Sequence, residues 1–443
     1  MTIDLLRLTQ KVSRNLQPVA TARVNTTMLV AVMHEIAVIS ETTKPAWRNA
    51  CRRAAKAQAK VDRRVAAALA KGKPYLARAI MRCSLGGRAS ITAAALTVNA
   101  KMPPAQRLKQ REAISLAASL SPWRGTEEPV DVRAKRKAGG GERPYLAYGW
   151  ESRVLQEQVG HAIKPFLAFD DRCFLQRGAD RAIEKAISLI RHMDWRWVIE
   201  ADISNFYPSI DKEEIAGLLP IDERIAHVVI TSDHANRRYT YPKFMRGHST
   251  AVHAITAFRG LPQGARTSPA VADALVASRL AKLPDGFAVV NFGDNFLIGG
   301  RTRREALQNF ETLVAAFGRC SGPQFTVVQK QLRRRDQGFK FLGYKISIRH
   351  NRIVVEPQEN QIRRALLQFD HILSRADGPD GPMRVWRVVS SRIGSLSLWR
   401  GADNWCFRWL SILAADDPKR QYMAQLSLDR LKCRIRLSFG LEA

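Results

Sequence analysis

The stretch VVNFGDNFLIGG, residues 289–300, poses the question on which the fold turns. Apolar residues flank a Gly-Asp-Asn on both sides, the pattern of a β-hairpin with one acid at its tip. Gly, Asp and Asn tolerate positive φ, so a type I′ turn would account for the local chemistry. A second stretch, WRWVIEADISNFYPSI (195–210), gives the tip a partner. Trp197, Val198, Ile199 and Ala201 suit a buried strand, and Asp202 comes where that strand should emerge. An aspartate there can simply cap the next helix. Yet FAVVNF also runs into an aspartate, Asp294. Two carboxylates on adjacent strand ends can share divalent cations, an arrangement suited to phosphoryl transfer. Without cations or a shared proton they would repel.

The 443 residues carry a net charge of +31, and 46% of them are hydrophobic. This is enough to build two to four domains. A compact fold gains nothing from such charge, so a polyanionic partner is expected, either nucleic acid or an anionic membrane surface. No apolar run approaches the roughly 20 residues that span a bilayer. MTIDLLRLTQ lacks the plan of a signal peptide. A cytoplasmic protein with no membrane partner is therefore expected. The six cysteines (Cys51, Cys83, Cys173, Cys320, Cys406, Cys433) are scattered without zinc-ligand spacing, and the nine histidines form no HExxH. Any metal must then be held by carboxylates, which points to Mg²⁺.

Over half of the excess charge lies in residues 1–140, with 26 Lys/Arg against 8 Asp/Glu. Within it, residues 45–83 are rich in Ala, Arg and Lys, all good helix formers. Ala55, Ala59, Val61, Val65, Ala68 and Leu69 can form an apolar stripe on that helix. Arg52, Arg53, Lys56, Lys60, Arg63 and Arg64 surround it and are candidates for RNA binding. A solvated helix face and a membrane-surface helix are the competing readings, but alanine makes a weak apolar face and aromatic anchors are few. GTEEPVDVRAKRKAGGGERP (125–144) reads as a linker or hairpin, and its basic cluster, Arg133, Lys135, Arg136 and Lys137, joins the RNA-binding set. From about 145 to 345, helix and strand patterns alternate in an α+β domain; residues 356–443 return to helices.

The ordered motifs from 137 to 345 together resemble a bacterial reverse transcriptase of the kind related to group II intron, retron and defence-associated enzymes. KAGGGERPYLAY with ESRVLQEQV resembles the opening fingers motif, with Arg143 and Arg153 as its basic residues. FLQRGADRAIEKAI resembles the second, making Arg177 and Arg181 candidates for triphosphate contacts. EADISNFYPSI resembles the first catalytic motif, and FGDN stands where the family has Tyr-x-Asp-Asp. FRGLPQGARTSPAVADALV (258–276) resembles the motif that packs under primer, template and nucleotide; VVQK supplies the later palm lysine, and FKFLGYKI resembles the primer grip.

The resemblance implies an α+β right-hand polymerase. Its fingers would cover 130–195 plus a 215–257 insertion, and its palm 196–214 and 258–345. A helical thumb would fill 350–443, and a basic helical RNA-binding extension 1–129. It implies an RNA-directed DNA polymerase adding deoxynucleotides to a 3′-hydroxyl with two Mg²⁺ ions, Mn²⁺ being a substitute. Asp202, Asp294 and the backbone of Ile203 would hold the metals, with Asn295 and Lys330 completing the catalytic set. Lys330 could protonate the leaving pyrophosphate. Tyr207 falls at the steric-gate position beside Phe206, where a ring would clash with a 2′-hydroxyl. Gln263 could contact a base, and Gly264 could let a nucleotide approach backbone closely. Ser268 and Pro269 should start the next helix. Together with Pro262 and Arg266 they are candidates for the primer and template, as are Phe341, Leu342, Gly343 and Tyr344.

Two positions depart from the family pattern. Asn295 replaces the usual second aspartate, keeping its shape and an acceptor but removing one charge near the metals. Phe292 replaces a tyrosine. An active polymerase is expected, slower or more demanding of metal. Only about 90 residues follow the primer grip, and they contain no endonuclease pattern or zinc ligands. The extra length lies at the basic N-terminus. This pattern resembles stand-alone enzymes that act in antiphage defence with a dedicated structured non-coding RNA. A second copy of the chain or an accessory protein is a further partner. The alternatives are an intron- or retron-type enzyme without a defence role, a template-independent or protein-primed polymerase, and a weakened, RNA-binding polymerase scaffold.

Overall fold

The computed structural model describes residues 45–425 apart from short internal segments, of which 137–141, 240–257, 319–324 and 376–380 are the longest. Residues 1–44, Lys137 and residues 426–443, all included in the expectations above, lie outside the described residues. Among the described residues, no helix is long and apolar enough to cross a membrane.

Four helices come first: α1 (Pro45–Ala70), α2 (Pro74–Leu85), α3 (Arg88–Lys101) and α4 (Gln110–Ser119). The buried side of α1 runs through Ala54, Val65 and Ala68, with Val61 and Leu69 packed against the core. Ala55 and Ala59, expected in that stripe, are exposed. A methyl group is too weakly apolar to set the phase of a helix, so its larger valines and the surface beneath them decide it. Val65, Met81, Ile91 and Val98 share one core with Val154 and Val159 of α5 (Trp150–Ile163). That core crosses residue 129, where a domain boundary was expected.

Strands β1 (Val130–Arg136) and β2 (Glu142–Ala147) form an antiparallel hairpin. After α6 (Ala179–His192), β3 (Trp197–Ile203) and α7 (Lys212–Leu218), β4 (Arg237–Tyr239) returns to pair in parallel with β1. The nearly all-apolar helix α8 (Ser268–Leu280) is buried and begins at the Ser-Pro pair, as its sequence predicts. Hairpin β5 (Val289–Phe292) and β6 (Asn295–Gly300), helix α9 (Arg303–Gly318) and β7 (Val327–Arg334) follow. The central sheet has the order β5-β6-β3-β7, with all neighbours antiparallel.

Both faces of this sheet are covered. Ile199, Phe296 and Ile298 join the core of α8, while Val198, Val290 and Leu297 join a second core. The second core also receives Phe341 and Tyr344 from the meander β8 (Phe339–Phe341), β9 (Tyr344–Arg349) and β10 (Arg352–Pro357). The helical region expected from residue 350 therefore opens on a strand, because RIVVEP is β-branched and pairs readily with β9. Helices α10 (Glu359–Ser374), α11 (Gly381–Ser395) and α12 (Ala402–Ala414) then close on their own core of Phe369, Val385, Val389, Cys406 and Leu410.

Candidate active site

The two acids meet through β6 rather than through β5. In the β3–β6 ladder Asp202 lies directly opposite Asn295, and Asp294 is the last residue of the two-residue loop that precedes it. The Ile203 amide donates to the Asp294 carbonyl at 2.9 Å, which ties the loop to the end of β3. Gly293 has φ +65° and Asp294 does not share that sign, so the loop has the pattern of a II′ turn rather than the I′ turn expected. Only the backbone carbonyl of Ile203 could reach a metal, since its buried side chain is a hydrocarbon with no donor atom.

Lys330 Nζ, reaching over from β7, lies 2.6 Å from Asp202 Oδ2. The Asn295 amide donates to Asp294 Oδ1 at 2.7 Å. Burial pushes the Asp294 carboxyl up, and the neighbouring charge of Asp202 adds to the rise. The loop backbone, Arg143 and Lys330 oppose it. Thus burial and the Asp202 charge raise the proton affinity of Asp294, while Arg143 and Lys330 partly offset the rise. Among the described residues there is no cluster of three or more His, Cys, Asp or Glu suited to a metal. A pair of carboxylates nevertheless fits a hard divalent cation, which usually takes one or two carboxylates and completes its shell with substrate oxygens.

After β3 the chain reverses at Asn205, whose φ of +49° is tolerated by this residue type. The reversal buries Phe206 and leaves Tyr207 half-buried beside it, with ring centroids 5.4 Å apart. Edge-on contacts continue from Phe206 to Phe325, Phe317 and Phe296, so the gate candidate rests on an aromatic chain that ends beside Asn295. Burial pushes the Tyr207 hydroxyl up to about 12, with Asp294 contributing. The Leu261 amide donates to the Tyr207 carbonyl at 2.9 Å, bringing the LPQGARTSP loop under this turn.

That loop is more committed internally than its residue types suggest. The Gln263 carbonyl accepts from the Leu146 amide at 2.7 Å. Gly264 has φ +109°, and a Cβ there would lie 2.2 Å from the Leu146 carbonyl oxygen, so contact with β2 already demands glycine. The Arg266 guanidinium is paired with Glu157. Ser268 is buried and donates to the Pro262 carbonyl at 2.7 Å, while Pro269 is exposed. Arg143 is exposed on β2 and acts on both Asp294 and Tyr207. Arg177 stacks over Phe174 at 5.5 Å and pairs with Asp171 at 2.8 Å; Arg181 pairs with Glu184 at 2.7 Å. Phe341 and Tyr344 are core residues, and Leu342 and Gly343 form the turn between them with φ of +47° and +86°.

Arg52, Arg53, Lys56, Lys60, Arg63 and Arg64 are all exposed along α1, and Arg133 is exposed on β1. Lys135 and Arg136 complete β1, though only their backbone is described.

Three polar residues in this region escaped the motif reading. Glu200 sits two residues before Asp202 on the same strand face; its carboxyl is pushed up by burial and accepts from Gln331 at 2.6 Å. Asp273 is 1% exposed on α8, and burial pushes its carboxyl up to about 6. Asn291 is fully buried in β5. The available signal was a polar residue inside each of three apolar runs, VIEADI, AVADALV and VVNF, alone in the last two and two positions before Asp202 in the first.

No curated protein matches the chain. A family model described as reverse transcriptase (RNA-dependent DNA polymerase) matches residues 135–346, from the end of β1 through both acids and Lys330 to the start of β9. With that match laid over the paired acids of the central sheet, residues 135–346 form a reverse transcriptase domain, and the protein is an RNA-directed DNA polymerase.

Proposed function

We propose that this polymerase extends a 3′-hydroxyl with deoxynucleotides on an RNA template at the Asp202–Asp294 pair. The observation that carries this reading is the placement of Asp294 beside the Asp202–Asn295 cross-strand pair, with Lys330 on Asp202. Asp202, Asp294 and the Ile203 carbonyl would hold the divalent cations, Mg²⁺ by the chemistry of their oxygens. Bound there, such ions supply activation of the hydroxyl and neutralisation of the leaving pyrophosphate. Lys330 stands ready to donate a proton on the leaving-group side. Tyr207 limits room at the sugar and so favours deoxynucleotides. Arg143, Arg177 and Arg181 face the triphosphate; the carboxylates paired with the last two are exposed, and such ion pairs are readily exchanged for phosphate.

In this reading β1, β2, β4 and α5–α6 are the fingers, the central sheet with α8 is the palm, and α10–α12 are the thumb. The basic face of α1 holds a dedicated structured RNA through its phosphates, and defence against phage is the role we assign to the product. The charge of residues 1–140 supports RNA binding over an intron-type arrangement, in which the additional segments follow the palm.

Purified protein with its co-purifying RNA should incorporate dNTPs in Mg²⁺ or Mn²⁺, and Asp294→Ala should not. Incorporation by the native chain no greater than by that variant defeats the polymerase reading. Sequencing the bound RNA and the DNA product tests the dedicated template, and co-purified RNA of random sequence counts against it.

A further inference from the structure

Asn291 lies in the middle of a short apolar strand, an expensive place for an amide unless its hydrogen bonds have a use. It is 0% exposed. Its Nδ2 donates to the Gly293 carbonyl at 2.9 Å and to the Asn295 carbonyl at 3.2 Å. These carbonyls stand on either side of Asp294, so one side chain fastens both shoulders of the turn that carries the acid. The backbone of the same residue works outward. Its amide donates to the Arg172 carbonyl at 2.8 Å, and its carbonyl accepts from the Phe174 amide at 2.9 Å. The segment 172–174 is thereby joined to β5 by an isolated parallel bridge at Cys173, and Phe174 in turn holds Arg177 over its ring. Leu175, from the same segment, approaches the position a Gly293 side chain would occupy at 3.8 Å.

We infer that Asn291 is a positioning residue for the reaction: its amide sets where Asp294 sits relative to Asp202 while its backbone registers the Arg177 segment against the same turn. The inference rests on the reading of Asp294 as an active-site acid. A buried asparagine kept for packing alone is a poor choice here, because its Oδ1 finds no hydrogen-bond partner among the described residues. A leucine of similar volume would fill the space without that penalty, but it would release the two carbonyls and allow the turn to relax. Displacing an active-site group by about 1 Å can cost about 100-fold in rate.

The test compares full-length native protein with Asn291→Leu and Asn291→Ser, the second retaining one hydroxyl donor. Thermal melting, dNTP incorporation as a function of dNTP and Mn²⁺ concentration, and hydrogen exchange over peptides spanning 289–297 and 170–178 are measured for each. Asn291→Leu should lower kcat by about 10- to 100-fold, raise the half-saturating Mn²⁺ concentration and speed exchange at 293–295. Protection at 170–178 should persist, since backbone bonds maintain it, and Asn291→Ser should fall between the two. Rates and Mn²⁺ dependence within twofold of native overturn the inference. So does a fall in melting temperature with exchange raised throughout both peptides and no recovery in Asn291→Ser, which marks a structural role only. If native protein incorporates no more than Asp294→Ala, the polymerase reading fails by itself; exchange at 293–295 unchanged in Asn291→Leu then overturns the positioning role independently.

Discussion

At the end of β3 and the β5–β6 turn, Lys330 pairs with Asp202, and Asp202, Lys330 and Arg143 all act on the Asp294 carboxyl. Along α1, by contrast, Arg52, Arg53, Lys56, Lys60, Arg63 and Arg64 are exposed and have no carboxylate partner among the described residues. In the first region the two acids are partly buried, and each has a fixed polar neighbour, Lys330 on Asp202 and the Asn295 amide on Asp294. In the second the charges are solvated and interchangeable, suited to a repeating polyanion rather than to a single reacting atom. On the proposed function one chain separates chemistry from holding; residues of both regions share a hydrophobic core.

That comparison can be broken from either end. Asp202→Ala leaves Lys330 without its carboxylate and Asp294 as the lone acid. Incorporation should fall by about a thousandfold, on the order of 4 kcal/mol of lost transition-state stabilisation. A loss of only a few-fold, measured by primer extension, would place the chemistry elsewhere. Replacing all six basic residues of α1 with Gln should do the opposite. RNA affinity should drop steeply, and the slope of log K against log salt should shrink by up to about 4–5. Extension of a short, pre-annealed primer–template at saturating concentration should be unaffected. An unchanged salt slope in a filter-binding titration would remove α1 from the RNA interface.

Asn295→Asp sharpens the comparison within the acidic region. It exchanges an amide that donates to Asp294 for a second negative charge. One unit charge about 4 Å away in a water-like dielectric is worth ~1 kcal/mol, so the half-saturating Mg²⁺ concentration should fall by about fivefold. A large loss of kcat in the same titration would instead show that the amide bond to Asp294 is required.

The last effect, on stability rather than on activity, concerns Asp273, whose folded carboxyl is pushed up to about 6 from an ordinary value of 3.8. A raised folded value means the folded state binds the proton more tightly. The stability this group contributes is therefore complete below about pH 4 and lost as pH rises through about 6. That loss is about 3 kcal/mol in all. Asp273→Asn should flatten the dependence of melting temperature on pH between 4 and 6 and raise melting at pH 8. A variant less stable than native at pH 8 would show that the ionised carboxylate has a partner worth more than its burial costs.

Much of this architecture could be read from local pattern. The strand ending at Asp202, the hairpin around Asp294, the helix starting at Ser268 and the basic helical stretch over 45–83, which the structure divides after Ala70, each follow from periodicity, turn residues or caps within a dozen positions. Errors arose where a local signal was weak or a partner distant. Ala55 and Ala59 were misplaced because alanines do not define a helix face, and β10 was missed because six residues of strand preceded a longer helical pattern.

The sequence by itself determined which residue types stand at the strand ends, the order of the motifs and the uneven distribution of charge. Only tertiary structure decided that β6, not β5, flanks β3; that Lys330 lands on Asp202; that Arg266 pairs with Glu157; and that Leu146 claims the space at Gly264. Helix and turn preferences act between residues a few positions apart. Sheet order and side-chain partnership depend instead on contacts between residues far apart in the chain, and these exist only once the core has closed.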